Sequence, residues 1–302
     1  MTNKKVFIII INFNGWPDTK ECLESLKKLL VSDTNSFEVV LIDNGSKGGY
    51  RLPTTDYRFK IYEIYNKENL GFAGANNQSI KLALENNADY ILLLNNDITV
   101  EPDFLSKLVE EAEDDESTGI VGPLICFYDD HNKIWSAGGK ISNHSTKGEL
   151  IAYQEIDEGE YQVSEQVDYI SGTCLLIKPE VIKKIGLISE DYFLYYEDTD
   201  WCLRANRAGW RSLLVPAAKI YHKVSKSAGE SSYPYIYYHS RNGLMFGERF
   251  GNKFMVYFLS VWIFLKQIIK LVFGYKRDWA RPVLRGVWDF WMGRKGKLEG
   301  YY

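Results

Sequence analysis

Val6-Phe7-Ile8-Ile9-Ile10-Ile11, followed at once by Asn12-Phe13-Asn14-Gly15, is the stretch on which the fold turns. Lys4 and Lys5 in front of it imitate a secretory signal. The apolar run is too short for one, and it passes into a polar turn with no small-residue cleavage site, so it reads as a first buried strand. Runs of the same kind recur at residues 37–42, 59–65 and 90–94 and read as strands apolar on both faces. Between them, residues 19–30 place Leu23, Leu26 and Leu30 on one side of a helix, and residues 75–85 do the same with Ile80, Ala83 and Leu84. This βαβαβ alternation implies an α/β fold with a mostly parallel central sheet flanked by helices and joined by right-handed crossovers.

Further along, Pro102 opens a helix that runs to about Glu116, and residues 120–125 form another strand. Residues 127–167 are polar and rich in Gly, Ser and Asn, which suggests a loop-and-hairpin insertion near the substrate side. A strand at 169–177, a short helix from Pro179 to Gly186 and a helix over 199–208 with Gly209 as its stop signal complete the body. There is no internal repeat and no low-complexity tract.

With 302 residues and 45% apolar content the chain can fill one large α/β domain plus an appendage. Cys22, Cys126, Cys174 and Cys202 lack CxxC spacing, which points to reduced, buried thiols in a reducing compartment. The net charge of -4 hides a division, because residues 241–302 carry 12 Lys/Arg against four Asp/Glu, while residues 1–240 carry 24 against 36. We therefore expect a catalytic domain over 1–240 and a basic, aromatic-rich helical region over 241–302, with the boundary near Arg241. Residues 254–265 give about 12 apolar positions before Lys266, whereas a spanning helix needs roughly 20. Continuing through Lys266 and Lys270 to Phe273 would bury two charges. An interfacial helix fits better, with Lys276, Arg277, Arg281 and Arg285 interleaved with Trp262, Trp279, Trp288 and Trp291 at headgroup level. The alternative is an appendage that packs its aromatics on the catalytic domain or on a second subunit, as in a homodimer. The expected location is cytoplasmic and peripheral, at the inner face of the cell membrane, with no nucleic acid as partner.

In an open parallel sheet, ligands bind outside the carboxyl ends of the strands. Three polar segments lie there: Asn12-Phe13-Asn14-Gly15, Asp43-Asn44-Gly45-Ser46 and Asn95-Asn96-Asp97. Taken alone, Asp43-Asn44-Gly45 is ordinary turn chemistry. Neither GxGxxG nor GxxxxGK[ST] follows a strand, so no dinucleotide fingerprint or P-loop is supported. Gly71-Phe72-Ala73-Gly74 opens a helix and could lend backbone N–H groups to an anion. A diphosphate there needs further positive charge, which Asp97 can supply by holding Mg²⁺ or Mn²⁺. The segment Phe193-Leu194-Tyr195-Tyr196-Glu197-Asp198-Thr199-Asp200 reads either as a helix start, with Asp198 or Thr199 as N-cap, or as a functional cluster. Three carboxylates within four positions repel one another unless a function or a cation offsets them. His222, trailed by Lys223, Ser225, Lys226 and Ser227, is by itself more often structural than a ligand.

In this order, Ile9-Ile10-Ile11-Asn12-Phe13-Asn14-Gly15, Val40-Leu41-Ile42-Asp43-Asn44-Gly45-Ser46, Asn69-Leu70-Gly71-Phe72-Ala73-Gly74-Ala75-Asn76-Asn77, Leu93-Leu94-Asn95-Asn96-Asp97, Ser171-Gly172-Thr173-Cys174 and Tyr196-Glu197-Asp198-Thr199-Asp200 resemble the inverting family 2 glycosyltransferases of the GT-A fold. The likeness is to the rhamnosyltransferase-like bacterial and archaeal branch and covers roughly residues 5–245. The resemblance implies transfer of a sugar from a UDP- or dTDP-linked donor to an acceptor hydroxyl with inversion, on a glycan or polyprenyl-linked acceptor. It implies that Asp43 recognises the nucleotide base and that Asn12, Asn14, Asn76 and Asn95 line the same pocket. Asp97 matches the last position of the family's DXD element, whose first acid is replaced here by Asn95, and His222 matches a second metal ligand. Asp198 matches the general base, Glu197 an acceptor-orienting group, and Gly172 with Thr173 the acceptor side. The expected cofactor is a divalent metal, Mg²⁺ or Mn²⁺. A nucleotidyltransferase would require a Gly-rich, basic loop after the first strand, and Asn12-Phe13-Asn14-Gly15-Trp16-Pro17 is not one. A non-catalytic, membrane-docked nucleotide-sugar-binding module would have no need of Glu197-Asp198.

Overall fold

In the computed structural model of the chain, residues 4–30, 35–48, 57–142, 147–224 and 232–300 are described. Strand β1 (Lys4–Asn12) lies inside a twisted sheet, paired in parallel with β2 (Asn35–Asp43) on one side and β4 (Tyr90–Asn95) on the other, while β3 (Ile61–Tyr65) continues beyond β2. The period-2 geometry of a strand sends successive side chains to opposite faces. Phe7 and Ile9 accordingly join Val40 and Ile42 in one core, while Val6, Ile8 and Ile10 join Val39 and Leu41 in another. Helix α1 (Trp16–Leu26) covers the second face through Cys22, Leu23 and Leu26, and α2 (Gly71–Glu85) covers the first through Ala73, Ala75, Ile80 and Ala83. Burial on both faces explains why β1, β2 and β4 read as continuous apolar runs.

The chain continues through β5 (Ile98–Val100), α3 (Phe104–Asp114), β6 (Thr118–Phe127), β7 (Ile134–Ser136), β8 (Gly139–Ile141), β9 (Gly148–Leu150), β10 (Glu165–Gln166), β11 (Cys174–Ile177), α4 (Pro179–Ile185), α5 (Glu197–Arg207) and β12 (Arg211–His222). The sheet order is β10-β12-β6-β11-β4-β1-β2-β3, and β11 runs antiparallel between β4 and β6. β12 is parallel to β6, β5 pairs antiparallel with the end of β12, and β8 with β9 forms a separate hairpin inside the polar insertion. Four local expectations change. The helix expected over 19–30 ends at Leu26 and leaves Leu30 exposed beyond it. The strand expected over 59–65 begins at Ile61 and, at the sheet edge, is only partly buried. The strand expected over 169–177 is regular only from Cys174, because Ser171 to Thr173 turn on their own hydroxyls. The helix expected from Thr199 begins at Glu197, with Tyr196 as its N-cap in the left-handed region and no side-chain cap, so Asp198 and Thr199 lie in its first turn. All four cysteines are buried and free.

Three helices close the chain: α6 (Tyr233–Phe250), α7 (Lys253–Val272) and α8 (Arg277–Trp291). Position 240 lies inside α6, and the next two residues, Arg241 and Asn242, are buried against the body. α8 packs so closely on α6 that a Cβ at Gly286 would sit 2.9 Å from the Tyr237 carbonyl oxygen. α7 rests on α8 through Val256 and Ser260, the latter accepting a hydrogen bond from the Trp291 indole at 2.8 Å. Helix α7 runs unbroken through Lys266 and Lys270, so its apolar length exceeds the 12 positions before Lys266, and by length and composition it could cross a membrane. Its outward face leaves Phe254, Phe258, Val261, Leu265 and Val272 exposed.

Candidate active site

The parallel registers set the first half of the site. Asn12 is level with Asp43, and Ile11 with Asn95, so the polar ends of β1, β2 and β4 share one edge of the sheet. Asn12 is buried, and its amide donates to Asp43 Oδ1 at 3.0 Å and to Ser46 Oγ at 3.2 Å. Its Oδ1 accepts from Gly15 N and from the Thr19 hydroxyl. The Ser46 hydroxyl in turn donates to Asp43 and accepts from Asn14 N, so Asn12, Asn14, Asp43 and Ser46 form one unit. Exposed Asn14 closes it from outside, accepting Lys47 N at 2.8 Å. Asn44, buried beside them, ties the end of β2 to the approach of α2 by accepting from Asn66 and Leu70 N and donating to Asn69 and Gly71 O. Gly45, at φ 80°, lies where a Cβ would meet the Glu68 backbone at 2.5 Å. Asn95 is partly buried at the end of β4, its N–H donating to Thr173 O. Asn76 is buried within α2 and donates to Phe72 O, one turn back. The first N–H groups of α2 are taken by the protein, Gly71 N by Asn69 Oδ1 and Phe72 N by Phe193 O, so these two are not available to an anion.

Asp97 follows β4, and His222 ends β12. β5 pairing with β12 and the Lys223 N to Asp97 O bond bring them together. Their side chains meet at 3.3 Å between Asp97 Oδ1 and His222 Nε2, both nearly buried. The other ring nitrogen, His222 Nδ1, is buried without a hydrogen-bond partner, and the Trp135 indole stands edge-on to the ring at 4.5 Å. Among the described residues, no group of three or more His, Cys, Asp or Glu could hold a metal. A two-donor set suits a hard cation that keeps most of its coordination for water and phosphate oxygens. Ser225, Lys226 and Ser227 lie outside the described residues.

The second half of the site is built around Asp198. Gly172 N donates to its Oδ2 at 2.8 Å, and Thr199 donates to its Oδ1 through N at 2.6 Å and through its hydroxyl at 3.1 Å. Gly172 permits this approach, since a Cβ there would lie 2.9 Å from the Phe72 ring and 3.3 Å from Asp198 Cβ. Thr173 is buried alongside, accepting a hydrogen bond from Ser171 and offering its carbonyl to Asn95. Burial raises the Asp198 carboxyl above its usual range, and the three donors work against that rise. Glu197 is only 4% exposed, and its Oε2 has no partner. Burial first, and then the adjacent Asp198, push its carboxyl up to about 8. Burial thus raises both carboxyls, against three donors at Asp198 and with no partner on Glu197 Oε2.

The third carboxylate has a structural explanation that the sequence did not reveal. Asp200 is fully buried, and Arg204 at 2.6 Å, Arg249 at 2.7 Å and the Tyr192 hydroxyl at 3.0 Å offset its charge. It ties α5 to α6 and needs no cation. Ser46 and Asn44, which organise the polar network at the strand ends, were visible only as turn residues. Arg241 and Asn242 carried no local signal at all, because their partners lie about 50 positions upstream.

The family model for glycosyl transferase family 2 matches residues 7–186. The chain is similar to the low-salt glycan biosynthesis hexosyltransferase of Haloferax volcanii, at 24% identity over 97% of this chain and 92% of that protein. It is also 24% identical to the N-acetylglucosaminyl-diphospho-decaprenol L-rhamnosyltransferase of Mycobacterium tuberculosis, over 79% of this chain and 82% of the other. Among solved structures, a mannosyltransferase from Pyrobaculum calidifontis in complex with GDP-Man and Mn²⁺ superposes with a TM-score of 0.58 at 13% identity, covering 98% of this chain and 89% of that one, a likeness of fold.

Proposed function

The chain belongs to glycosyl transferase family 2 and is a glycosyltransferase that moves a sugar from a nucleotide-sugar donor; from that premise we propose that Asp198 is the general base of an inverting transfer. The observation that carries this reading is the Asp198 carboxylate, half-buried and fixed by Gly172 N and Thr199, beside a Glu197 whose burial weakens its acidity and keeps it protonated at neutral pH. The acceptor hydroxyl oxygen attacks the anomeric carbon and its proton passes to Asp198. The bond from that carbon to the diphosphate breaks on the opposite face, its electron pair leaving with the phosphate oxygen. A carboxylate in hydrogen-bond reach of the hydroxyl is what such a step requires. Protonated Glu197 can donate a hydrogen bond that orients the acceptor, and Gly172 with Thr173 floors the acceptor side. Asp43, Asn12 and Asn14, with Asn95 at the same sheet edge, hold the UDP or dTDP part of the donor, and Asn76, bonded to Phe72 O within α2, supports that pocket from the helix. Asp97 and His222 are the residues that would hold Mg²⁺ or Mn²⁺, which when bound supplies Lewis-acid charge to the departing diphosphate.

Asp198→Asn tests the base. Turnover is expected to fall by roughly 10²- to 10⁴-fold, the range of a lost general base. Thermal shifts with UDP-, dTDP- and GDP-sugars, with and without Mn²⁺, should remain those of the unaltered protein. Full activity in this variant would overturn the assignment.

For the acceptor we propose a glycan on a polyprenyl-linked carrier, met at the inner face of an anionic membrane. The support is α7, whose inner side packs on α8 while its outer side presents an apolar stripe edged by lysines, with Lys266 lying over the Trp262 ring at 4.9 Å. A helix held by protein on one side and apolar on the other suits the plane of the interface. A second copy of the chain is the competing occupant of that face.

A further inference from the structure

The segment that delivers Glu197 and Asp198 has a backbone its own residues disfavour. Phe193, Tyr195 and Tyr196 have φ of 66°, 67° and 76°. Bulky residues are rarely found in this left-handed region, and three within four positions persist only where the surroundings over-determine them.

The carbonyls show what does so. Asp191 O accepts from Gly296 N at 2.7 Å, Phe193 O from Phe72 N at 2.8 Å, and Tyr196 O from Asp200 N at 2.8 Å. The rest converge on two adjacent side chains of α6. Asn242 Nδ2 lies 3.0 Å from Tyr192 O, 2.8 Å from Leu194 O and 2.9 Å from Tyr195 O. Arg241 Nη2 reaches Tyr192 O at 3.1 Å. Both side chains are almost wholly buried, and each steadies the other, since Arg241 Nε donates to Asn242 Oδ1 at 2.9 Å. Arg241 also donates to the Tyr237 hydroxyl, which donates to Asp289 of α8, an acid that Arg285 and Arg294 pair from the other side. The clamp is thus anchored two helices deep.

We propose that Arg241 and Asn242 are positioning residues for sugar transfer. They hold residues 192–196 in the left-handed form and so aim Asp198 at the acceptor hydroxyl, without touching any reacting atom. The proposal rests on Asp198 being the base. The nucleotide edge stands on β1, β2 and β4 and meets this loop at the start of α2, where Phe72 N donates to Phe193 O, and not through Arg241 or Asn242, so substitution of the clamp should leave it in place.

Asn242→Asp keeps the shape and replaces two N–H donors with an oxygen facing three carbonyls. In the full-length protein kcat is expected to fall about 100-fold or more, as a small misplacement of a catalytic group does. KM for the donor and the thermal shift with nucleotide sugar should stay within about twofold, while amide hydrogen exchange over 193–199 accelerates. Asn242→Ala, which removes the donors without adding charge, should show the same split more mildly and serves where the aspartate variant does not fold. Unchanged kcat with faster exchange at 193–199 would overturn the proposal, as would kcat and donor affinity falling together in step with the melting temperature. Loss of turnover in Asn242→Asp beside full activity in Asp198→Asn would remove the base assignment and, with it, Asp198 as the group the clamp aims.

Discussion

The two halves of the candidate site are built on opposite plans. On the side proposed for the nucleotide, Asn12, Asp43 and Asn95 sit where regular parallel strands end, and Asn12 donates to Asp43 on the neighbouring strand. On the acceptor side, Glu197 and Asp198 follow a loop with three left-handed residues, held by side chains of a helix that comes about 50 residues later. A strand end is a cheap place to present polar groups, because the ladder fixes the backbone and only the side chain has to be placed. The acid proposed as the base stands instead beside a strained turn supported from outside. If this contrast is right, damage to the first half should appear in donor affinity and damage to the second in turnover.

The largest effect is expected where the halves meet. Asp97 is linked to β12 through His222, and Asp97→Ala removes one of the two donors proposed for a divalent ion. Losing such charge stabilisation costs several kcal/mol of the barrier, so transfer should fall about 10³-fold, with the thermal shift produced by Mn²⁺ plus nucleotide sugar reduced. A variant that keeps both its rate and its Mn²⁺ response would move the ion elsewhere.

Asp43 gives the plain test of the nucleotide half. Asp43→Ala leaves Asn12 and Ser46 without a shared acceptor and removes the carboxylate proposed to read the base. A charge-assisted hydrogen bond contributes about 1.5–3 kcal/mol, which corresponds to a KM for the donor raised roughly 10- to 100-fold with kcat within a few-fold. A fall in kcat at unchanged KM would break the division between the halves.

How much of this was legible follows from the same contrast. The strands β1, β2 and β4 could be read because double-sided burial writes itself as unbroken apolar runs, and the site residues after them because a strand end is a local feature. The helix start at Glu197 was misplaced by two residues, since Tyr196 caps it by backbone conformation and not by a side chain. The carboxylate cluster looked like a single puzzle, yet Asp200 belongs to Arg204 and Arg249, one of them 49 residues away. Ion pairs and clamps of that sequence separation leave no periodic trace. The full length of α7 was legible only as the disfavoured alternative, because Lys266 and Lys270 interrupt the apolar run without interrupting the helix.

A smaller effect is expected where the support of the acceptor half reaches its far end. Phe258 and Leu265 are 61% and 54% exposed on the outer stripe of α7. Burying side chains of this kind in a lipid interface contributes about 1.5–3 kcal/mol each. Phe258→Glu with Leu265→Glu should therefore lower co-sedimentation with anionic phospholipid vesicles about tenfold or more, while turnover on a short water-soluble acceptor stays the same. Unaltered sedimentation, joined to a change in oligomeric state, would assign the stripe to a second copy.

The subtlest test concerns the acid pair itself. Glu197 has its carboxyl raised to about 8 by burial, against an ordinary value of 4.5. A carboxyl whose folded-state value is raised binds its proton more tightly in the native protein. Stability is therefore highest below about pH 4.5 and declines as pH rises through the interval up to 8. At pH 7 the decline is on the order of 3 kcal/mol, taking 1.36 kcal/mol per pH unit. Glu197→Gln mimics the protonated form and should melt several degrees above the unaltered protein at pH 8, with the gap closing toward pH 4. Asp198 sets the direction of the comparison, because its backbone and hydroxyl donors favour the ionised form that Glu197 lacks. A melting difference that does not change with pH would mean that Glu197 is ionised in the folded protein, and the assignment of one acid to orient and the other to accept a proton would fail with it.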